Sequence, residues 1–287
     1  MSSITAYNLQ NKKNIISFAG ADAASFLQGQ TTCDVLSLDE TNSVFGALCN
    51  PKGRVISLFH LVKRNDIFYM TLPSDLCADI IKRLKMFVFR SKVSIDDVTH
   101  QFIILGVNET YTEELANPLA YIRYIENDDL ALLLIQNKSI EELCSSIVIS
   151  SNNNDWENLL ISACIPEITA ETSEQFIPQM LNLDALKGIS FQKGCYTGQE
   201  VVARMHYKGS VKRRLISYRS ASPFVTGEQL FTDDDANSIG TILNSVSLDN
   251  LTHTGLAVLK VSFTNNKELL LKKSIAIIIQ HPKYELD

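Results

Sequence analysis

Short apolar runs separated by turn residues fill the first part of the chain and predict strands more than long helices. Residues 15–18 form an apolar run that is closed by Gly20, and Asp22 can then begin a helix that ends near Gly29. Three further runs, with turn residues between them, predict strands at 44–49, 54–63 and 67–72. An antiparallel meander therefore follows the opening strand and helix.

A helix is predicted after Asp75, because apolar residues recur there at intervals of three and four and share one face. These residues are Leu76, Ile80, Leu84, Phe87 and Val88. Beyond this helix, the pattern predicts strands at 101–107, 120–124 and 130–135 and helices near 139–146 and 155–164. Strands and helices mix without strict alternation, and no glycine-rich nucleotide fingerprint is present, which favours an α+β fold.

From about Val211 onwards the helical pattern is absent, and alternating apolar runs with turn residues between them predict a small β-barrel. The predicted strands cover 214–218, 229–233, 238–247, 255–262 and 274–281.

The composition narrows the class of protein. A hydrophobic content of 45% over 287 residues indicates a globular chain. Its net charge of −6 argues against binding to nucleic acid or to an anionic membrane through overall electrostatic attraction. The first residues lack the apolar stretch of a secretory signal, and no apolar segment is long enough to span a bilayer. We therefore expect a cytoplasmic protein without membrane contact.

Six cysteines occur, and none belongs to a CxxC pair or to a Cys/His spacing that is typical of zinc sites. They are Cys33, Cys49, Cys77, Cys144, Cys164 and Cys195. Because a cytosolic chain of this size needs no covalent cross-links, we expect all six to be reduced and no metal site to form.

The segment KGCYTGQE, residues 193–200, carries the most distinctive chemistry. Thr197 and Glu200 have the spacing of a capping box, which predicts a helix that Gly209 ends and places Cys195 two residues before the N-cap. A thiol beside helix N-terminal amides and close to Lys193 is in the setting that favours a reactive thiolate. The alternative is a helix-entry turn with a buried, small apolar cysteine, and local chemistry alone does not decide between the two.

This segment resembles the signature of the YgfZ family, which is related to the T-protein of glycine cleavage. The upstream FIPQMLNLD and the downstream VARMHYKGSVKR resemble the same family in order and spacing. A looser resemblance extends to FLQGQTTCDV at 26–35 and to LCNPKGRVISLF at 48–59, so that most of the chain is covered.

The resemblance implies a T-protein-like α+β fold with two interlocked subdomains, one of them ferredoxin-like, and a C-terminal antiparallel β-barrel. Residues 1–209 would form the folate-binding region, with a middle subdomain at about 44–110, and residues 210–287 would form the barrel. The implied fold and this division of the chain agree with the predicted strands and helices.

The resemblance also implies that the chain binds tetrahydrofolate or a related folate and assists the assembly or repair of iron–sulfur clusters. Clients would include iron–sulfur enzymes such as the radical tRNA methylthiotransferase, together with assembly factors, and a cluster could be held transiently. Cys195 would be the functional thiol, with a surrounding set made of Lys193, Gly194, Tyr196, Gly198, Gln199 and Glu200.

Aminomethyl transfer by T-protein depends on a carboxylate in the strand that follows the first hairpin, and here Ser57 or a neighbour takes its place. A hydroxyl group is a much weaker general base than a carboxylate, so this enzyme activity is not expected. Asp66, which lies further along, fits a turn.

Pterin recognition needs an acceptor for two hydrogen bonds, and the resemblance points first to Asp184, whose ordinary alternative is a surface or capping role. Glu200 is the second candidate, although the capping box competes for it, and Gln199 and Arg204 complete the expected folate contacts. Four large aromatic residues could line the pterin cavity, although such residues more often belong to the core: Phe18, Phe26, Phe59 and Trp156.

A cluster of positive charge follows the motif: Arg204, His206, Lys208, Lys212, Arg213 and Arg214. It could receive the glutamate tail of folate or an RNA phosphate, whereas a solvated helix face is the ordinary explanation. Nothing in the sequence resembles an RNA-binding module, so we expect the link to tRNA to be indirect.

Three hypotheses remain open at this point. The first is a folate-dependent accessory protein for iron–sulfur enzymes, the second an active folate-dependent one-carbon transferase, and the third an interaction module that has lost its ligand. Folate titration separates the third hypothesis from the other two, and a transfer assay separates the first two.

Overall fold

The structure is a computed structural model that describes residues 5–108, 119–124, 130–136, 148–150, 152–233, 237–271 and 275–286. Its strands, in chain order, are β1 (Thr5–Asn8), β2 (Lys13–Ala19), β3 (Ser43–Cys49), β4 (Val55–Arg64), β5 (Ile67–Pro73), β6 (Ser94–Asp97), β7 (Phe102–Asn108), β8 (Ala120–Arg123), β9 (Leu130–Gln136), β10 (Val148–Ser150), β11 (Arg213–Ser220), β12 (Gln229–Leu230), β13 (Gly240–Ser247), β14 (His253–Lys260), β15 (Glu268–Leu271) and β16 (Ile275–Gln280). Its described helices are α1 (Ala23–Gln30), α2 (Cys77–Lys85), α3 (Asn153–Ser162), α4 (Gln199–Lys208) and α5 (Val261–Thr264).

The opening strand and the predicted meander belong to one five-stranded sheet with the order β3-β4-β5-β2-β6. The strands predicted at 15–18, 44–49, 54–63 and 67–72 are confirmed, and most residues of β4 and β5 are buried. Strand β6 was not predicted. Only Ile95 of its four residues is buried, so it carries no apolar run.

The second helix is shorter than its apolar pattern predicts. Leu76, Ile80 and Leu84 are buried as expected, but helix α2 ends at Lys85 and leaves Phe87 and Val88 outside. Phe89 has a left-handed φ of 40°, and a residue in that conformation cannot continue a right-handed helix.

A second five-stranded sheet has the order β10-β1-β7-β9-β8, in which β1 and β10 are parallel and the other described pairs are antiparallel. The strands predicted at 101–107, 120–124 and 130–135 are confirmed, whereas β1 and β10 are short, half-polar strands that the pattern missed. The helix predicted near 139–146 lies outside the described residues.

The C-terminal region forms a six-stranded antiparallel sheet with the order β12-β13-β14-β11-β16-β15. Each of the six strands contributes buried side chains to one apolar cluster, as a curled, barrel-like sheet requires. The predicted barrel is confirmed. Strand β15 was missed because its buried and exposed residues alternate over only four positions, and β12 keeps two of its five predicted residues.

The chain divides into two compact units. The first consists of Met1–Leu48, Ser57–Asn153 and Gln192–Tyr196, and the second of Cys49–Ile56, Asn154–Phe191 and Thr197–Asp287. The domain boundary predicted at 209 thus falls inside the second unit. Among the described residues, no helix is both long and apolar enough to cross a membrane.

His60 is a buried histidine in the interior of the first unit. Its ring stacks on Phe45 at 4.8 Å between centroids and meets the edge of Tyr124 at 4.6 Å. Its Nε2 is buried and has no hydrogen-bond partner among the described residues. Burial, reinforced by the charge of Lys13, lowers the pKa of His60 from 6.5 to about 3, so the folded protein keeps this ring neutral.

Acidification should therefore destabilise the protein through His60. In the unfolded chain the His60 side chain binds a proton as the pH falls below 6.5, whereas in the folded protein it stays neutral down to about pH 3. The free energy of unfolding therefore decreases as the pH falls from 6.5 to 3. Between pH 7 and pH 5, the wild-type free energy of unfolding should fall by about 2 kcal/mol more than that of His60→Leu. Urea denaturation at both pH values measures this difference.

The matched control is His100→Leu, which replaces an exposed histidine of the same unit. This control should keep the wild-type response to pH. Equal losses in wild type and His60→Leu would show that the buried ring does not set the acid sensitivity.

Candidate functional site

Cys195 lies on a short loop of the first unit, in the segment Gln192–Tyr196, which has no regular secondary structure. The thiol is exposed, and it makes no hydrogen bond or ion pair with any described residue. Tyr196, the next residue, is buried and anchors the loop beside it. The alternative of a buried apolar cysteine is therefore wrong, and the thiol is free to meet a reagent or partner.

Lys193 ties this loop to the segment that follows helix α1. Its Nζ donates to the carbonyl oxygens of Thr31 at 2.8 Å and of Cys33 at 2.6 Å, and it lies 5.2 Å from the ring centroid of Tyr196. Desolvation lowers the pKa of Lys193 to about 8, and electrostatic interactions with Cys33 and Asp34 offset part of that effect. Two of its three N–H donors are thus used to hold backbone, which gives Lys193 a positioning role.

The helix that follows begins differently from the prediction. Helix α4 starts at Gln199, its N-cap is Gly198, and no side chain caps it, so the capping box of Thr197 and Glu200 does not form. A capping box needs a hydroxyl side chain at the N-cap, which glycine lacks. Cys195 consequently lies three residues before the N-cap, and Glu200 is exposed in the first helical turn.

Gly198 is required by close packing within the second unit. It has a φ of 85°, and a Cβ there would lie 2.5 Å from the carbonyl oxygen of Asn50 and 3.0 Å from the Cα of Gly53. Gly53, with a φ of 69°, meets Val201 in the same way, at 2.8 Å from its Cβ. The Asn50–Gly53 turn and the start of α4 therefore fit together only with glycines, which links two segments that the sequence singled out separately. Gly194, by contrast, faces open space.

A cleft of about 950 Å³ lies within the second unit. Asp184 lines it, whereas Gln199, Glu200 and Arg204 are not among its lining residues. Arg204 and Glu200 are exposed on helix α4. The structure therefore brings only one of the four predicted folate contacts to this cleft.

The carboxylate of Asp184 is paired with Arg214, the second residue of strand β11. Arg214 Nη1 lies 2.7 Å from Oδ1 and 2.9 Å from Oδ2 of Asp184, and it also donates to the carbonyl oxygen of Gln179 at 3.0 Å. The side chains are only 17% and 10% exposed. The hydrogen bonds of Arg214 offset part of the free energy that burial of the two charges costs. The carboxylate of Asp184 keeps lone pairs that can accept further hydrogen bonds.

Gln179 is a cleft residue that the sequence did not single out. Its Nε2 donates to the carbonyl oxygen of Val202 at 2.8 Å, while its Oε1 is buried without a hydrogen-bond partner among the described residues. An unpaired buried acceptor costs free energy, and because Gln179 is one of the residues that line the cleft, a ligand with N–H donors that reached Oε1 would remove that cost. A glutamine between apolar residues carries no signal of this kind in the sequence.

An aromatic cluster forms another part of the cleft. The rings of Phe191 and His206 stack at 3.7 Å between centroids with an interplanar angle of 11°, and Tyr207 meets the edge of His206 at 4.7 Å. Phe191 and His206 line the cleft, while Tyr207 is largely exposed. The pairing joins residues 15 positions apart, so periodicity did not reveal it.

Asn182 fastens the cleft wall to strand β11. Its Nδ2 donates to the carbonyl oxygen of Leu215 at 2.9 Å and lies 3.1 Å from the hydroxyl of Tyr284, which donates to the carbonyl oxygen of Cys164 at 2.9 Å. Asn182 itself has a left-handed φ of 58°, which asparagine tolerates better than most residues. The segment FIPQMLNLD is thereby held by its polar side chains.

Ser57 is completely buried, and its hydroxyl donates to the carbonyl oxygen of Leu58 at 3.0 Å. It offers neither a carboxylate nor an accessible base. Asp66 lies in a turn, as the sequence predicts, with a φ of 60°, and it also pairs with Lys63 at 2.9 Å. The aromatic residues weighed as a pterin lining are all buried: Phe18, Phe26, Phe59 and Trp156.

The five described cysteines are free, and four of them are buried. Burial raises the pKa of Cys33 and Cys77 to about 11 and that of Cys49 and Cys164 to about 12. Cys144 lies outside the described residues. Within the described part of the chain, no group of three His, Cys, Asp or Glu side chains is placed to hold a metal ion.

The chain is similar in sequence to proteins named tRNA-modifying protein YgfZ. It is 34% identical over 237 residues to that of Colwellia psychrerythraea, which covers 77% of this chain and 72% of the relative. It is 32% identical to that of Hamiltonella defensa, over 96% of this chain and 90% of the relative. No family model matches the chain.

The fold is similar to that of the aminomethyltransferase T of the glycine cleavage system from Bartonella henselae. The TM-score is 0.72 with 12% identity, over 97% of this chain and 85% of that protein. The predicted T-protein-like α+β architecture is thereby confirmed.

Alkylation should distinguish Cys195 from the four described buried cysteines. At pH 7.5 thiols with a pKa of 11 or more hold little thiolate and are shielded, so N-ethylmaleimide should modify Cys195 first. The experiment uses a Cys144→Ser background, and mass spectrometry of peptides gives the order of labelling. Removal of the rapid phase by Cys195→Ala is expected, and rapid labelling of any buried cysteine would contradict this assignment.

Proposed function

Because the chain belongs to the YgfZ family, we propose that it is a folate-binding accessory protein in tRNA modification that supports the iron–sulfur clusters of tRNA-modifying enzymes. The observation that carries the folate half of the proposal is the pair of acceptors on the cleft wall, Asp184 and Gln179. The exposed thiol of Cys195 carries the half that concerns clusters.

The donor and acceptor set of the cleft fits a folate. A pterin offers N3–H and a 2-amino group, and these two donors match the carboxylate of Asp184 and the partnerless Oε1 of Gln179. Phe191 and His206 supply ring faces for the flat part of the ligand. A bound tetrahydrofolate would supply the chemistry of a one-carbon carrier, while the residues of this chain would hold and orient it.

The charged residues of the cleft fit the other end of the molecule. Lys187, His206 and His281 line the cleft beside the paired Arg214, so cationic or protonatable groups outnumber the single carboxylate there. The glutamate tail of a folate carries carboxylates that such groups attract. The cluster predicted for this task thus contributes His206 and Arg214, while Arg204 stays on the exposed helix surface.

The thiol of Cys195 suits contact with a second protein. It is exposed on a loop that Lys193 fastens, so its position is defined although its side chain is accessible. One cysteine is too few for a cluster, because iron–sulfur clusters take four protein ligands in the usual sites. A cluster carried transiently by this thiol would need further ligands from a client or an assembly factor.

A one-carbon transferase is not favoured by the same geometry. Ser57 occupies the place where a catalytic carboxylate is expected, and its hydroxyl is buried and bonded to backbone. A group of this kind supplies no general base of carboxylate strength. We therefore assign the chain a binding and supporting role, with no turnover of its own.

Calorimetric titration with tetrahydrofolate tests the folate half. Wild type and Cys195→Ala should bind alike, whereas Asp184→Asn should bind about tenfold or more weakly, because a charge-assisted hydrogen bond contributes roughly 1.5 to 3 kcal/mol. Asparagine is preferred to alanine because it still offers Arg214 an acceptor, while alanine leaves a buried cation unpaired. Gln179→Met should also weaken binding.

The control variant for this titration is Asp66→Asn, which removes an exposed carboxylate of the first unit and should leave the affinity unchanged. Absence of heat change in every protein, with folded spectra, would refute folate binding and favour an interaction module without ligand. Equal affinity of wild type and Asp184→Asn would place the pterin elsewhere.

A complementation assay tests the role of the thiol. In cells that lack the endogenous protein, Cys195→Ser should restore methylthiolated tRNA nucleosides little above the empty vector, because serine cannot serve as a thiolate ligand. Mass spectrometry of tRNA hydrolysates measures the level. Gln192→Ala, an exposed neighbour on the same loop, should restore it fully. Full restoration by Cys195→Ser at equal protein abundance would remove the thiol from the mechanism.

A further inference from the structure

The end of helix α2 and the turn after it carry a concentration of positive charge in the first unit. We call residues 82–92 the basic turn. In its eleven residues, KRLKMFVFRSK, the cations are Lys82, Arg83, Lys85, Arg90 and Lys92, and there is no acidic residue. A chain with a net charge of −6 thus has a local patch of the opposite sign.

The cations of the basic turn are not used inside the protein. None of the five side chains makes an ion pair or hydrogen bond with a described residue, and all but Arg83 are exposed. Lys82, Arg83 and Lys85 lie in the last turn of α2, where cations offset the helix dipole. Arg90 and Lys92 lie beyond the helix, so the dipole does not account for them.

Large apolar side chains stand among these cations. Phe89 is 88% exposed and Met86 60% exposed, and Phe87 is exposed as well. Folding normally buries such residues, and Phe89 in addition has the left-handed φ of 40°, which is unfavourable for an aromatic residue. Neither packing nor backbone preference explains why this ring faces the solvent.

Backbone hydrogen bonds hold the basic turn in place. Phe87 N donates to Leu84 O at 2.9 Å, and Ser91 N donates to Val88 O at 2.7 Å. At its far end, Lys92 N donates to the carboxylate of Asp22 at 2.7 Å. The exposed rings are therefore displayed on an ordered turn rather than on a loose chain.

We propose that the basic turn is a docking surface for single-stranded RNA, with the cations on phosphates and the rings of Phe87 and Phe89 on bases. A single strand offers closely spaced negative charge together with unstacked aromatic faces, and sequence-tolerant binding surfaces combine these two kinds of contact. The proposal goes beyond the proposed function, which needs no RNA contact by this chain. It also opposes our expectation from the sequence that the link to tRNA is indirect.

An anionic membrane is the main rival for a basic surface with exposed apolar residues. Stable membrane attachment takes a longer amphipathic face or a lipid anchor. Here the exposed apolar surface consists of two rings and one methionine on a tight turn. Two rings interleaved with five cations match the bases and phosphates of a single strand better than they match a lipid surface. Binding to vesicles is therefore measured as the rival result in the test.

Fluorescence anisotropy with a labelled 12-nucleotide uridine-rich RNA tests the proposal on the full chain over a range of potassium chloride concentrations. Phe89→Ala should raise Kd about tenfold, because it removes one stacking contact with a base. The double variant Lys82→Gln, Lys85→Gln should lower the slope of log K against log salt by about 1.4, or roughly 0.7 for each lost phosphate contact.

Matched controls lie in the second unit. Leu251→Ala removes an apolar side chain that is 79% exposed, and Lys267→Gln removes an exposed cation, and neither should change Kd or the salt slope. The double variant Lys208→Gln, Lys212→Gln should also bind like wild type. Circular dichroism verifies that each variant is folded.

Three results would overturn the proposal. They are absence of RNA binding by wild type at low salt, equal binding by wild type and Phe89→Ala, and loss of binding only in the Lys208→Gln, Lys212→Gln variant. Vesicles of phosphatidylglycerol and phosphatidylcholine form a parallel arm. Binding to these vesicles in place of RNA, with loss in Phe89→Ala, would assign the basic turn to a membrane and likewise overturn the proposal.

Discussion

The ion pair between Asp184 and Arg214 is the interaction on which the second unit's cleft depends. Arg214 begins the barrel-like sheet, while Asp184 and Gln179 belong to the irregular segment before the motif helix, and a single guanidinium nitrogen contacts both. Removing one partner of a buried pair leaves an uncompensated charge, which costs roughly 3 to 5 kcal/mol. The pair therefore fixes the cleft wall and keeps a carboxylate on that wall, so Asp184 has a structural role besides the recognition role that we propose for it.

A different set of contacts holds the loop Gln192–Tyr196, in which the thiol of Cys195 is exposed while the backbone stays fixed. Lys193 donates to two carbonyl oxygens, and desolvation of the ammonium is the cost that appears in its lowered pKa. Further along, Gly198 and Gly53 allow the helix start and the Asn50–Gly53 turn to approach each other within limits that a side chain would violate. The motif thus combines one accessible group with residues that serve only geometry.

Apolar periodicity predicted the long strands and the barrel because burial on one or both faces leaves a pattern in the sequence. It missed β1, β6, β10 and β15, which are only three or four residues long and therefore too short to show a clear pattern. The predicted capping box does not form because Gly198 is the N-cap residue. Gly198 packs closely against Asn50, which is 148 positions away in sequence, and no local pattern indicates that contact. Asp184 could be found through resemblance, whereas Gln179 and the Phe191–His206 stack depend on tertiary contacts that no local pattern records.

Solvent exposure distinguishes Cys195 from the other described cysteines. Cys33, Cys49, Cys77 and Cys164 are buried where desolvation opposes the thiolate, while Cys195 alone of the described cysteines meets solvent. A lone exposed thiol, with no metal-binding group around it in the described residues, cannot satisfy a cluster by itself. In the proposed function the remaining ligands would come from a client or an assembly factor, and that partner would set the specificity of the cluster chemistry. The supporting role that we propose agrees with that division, because this chain would contribute one thiolate and a folate site while the client would contribute the remaining ligands.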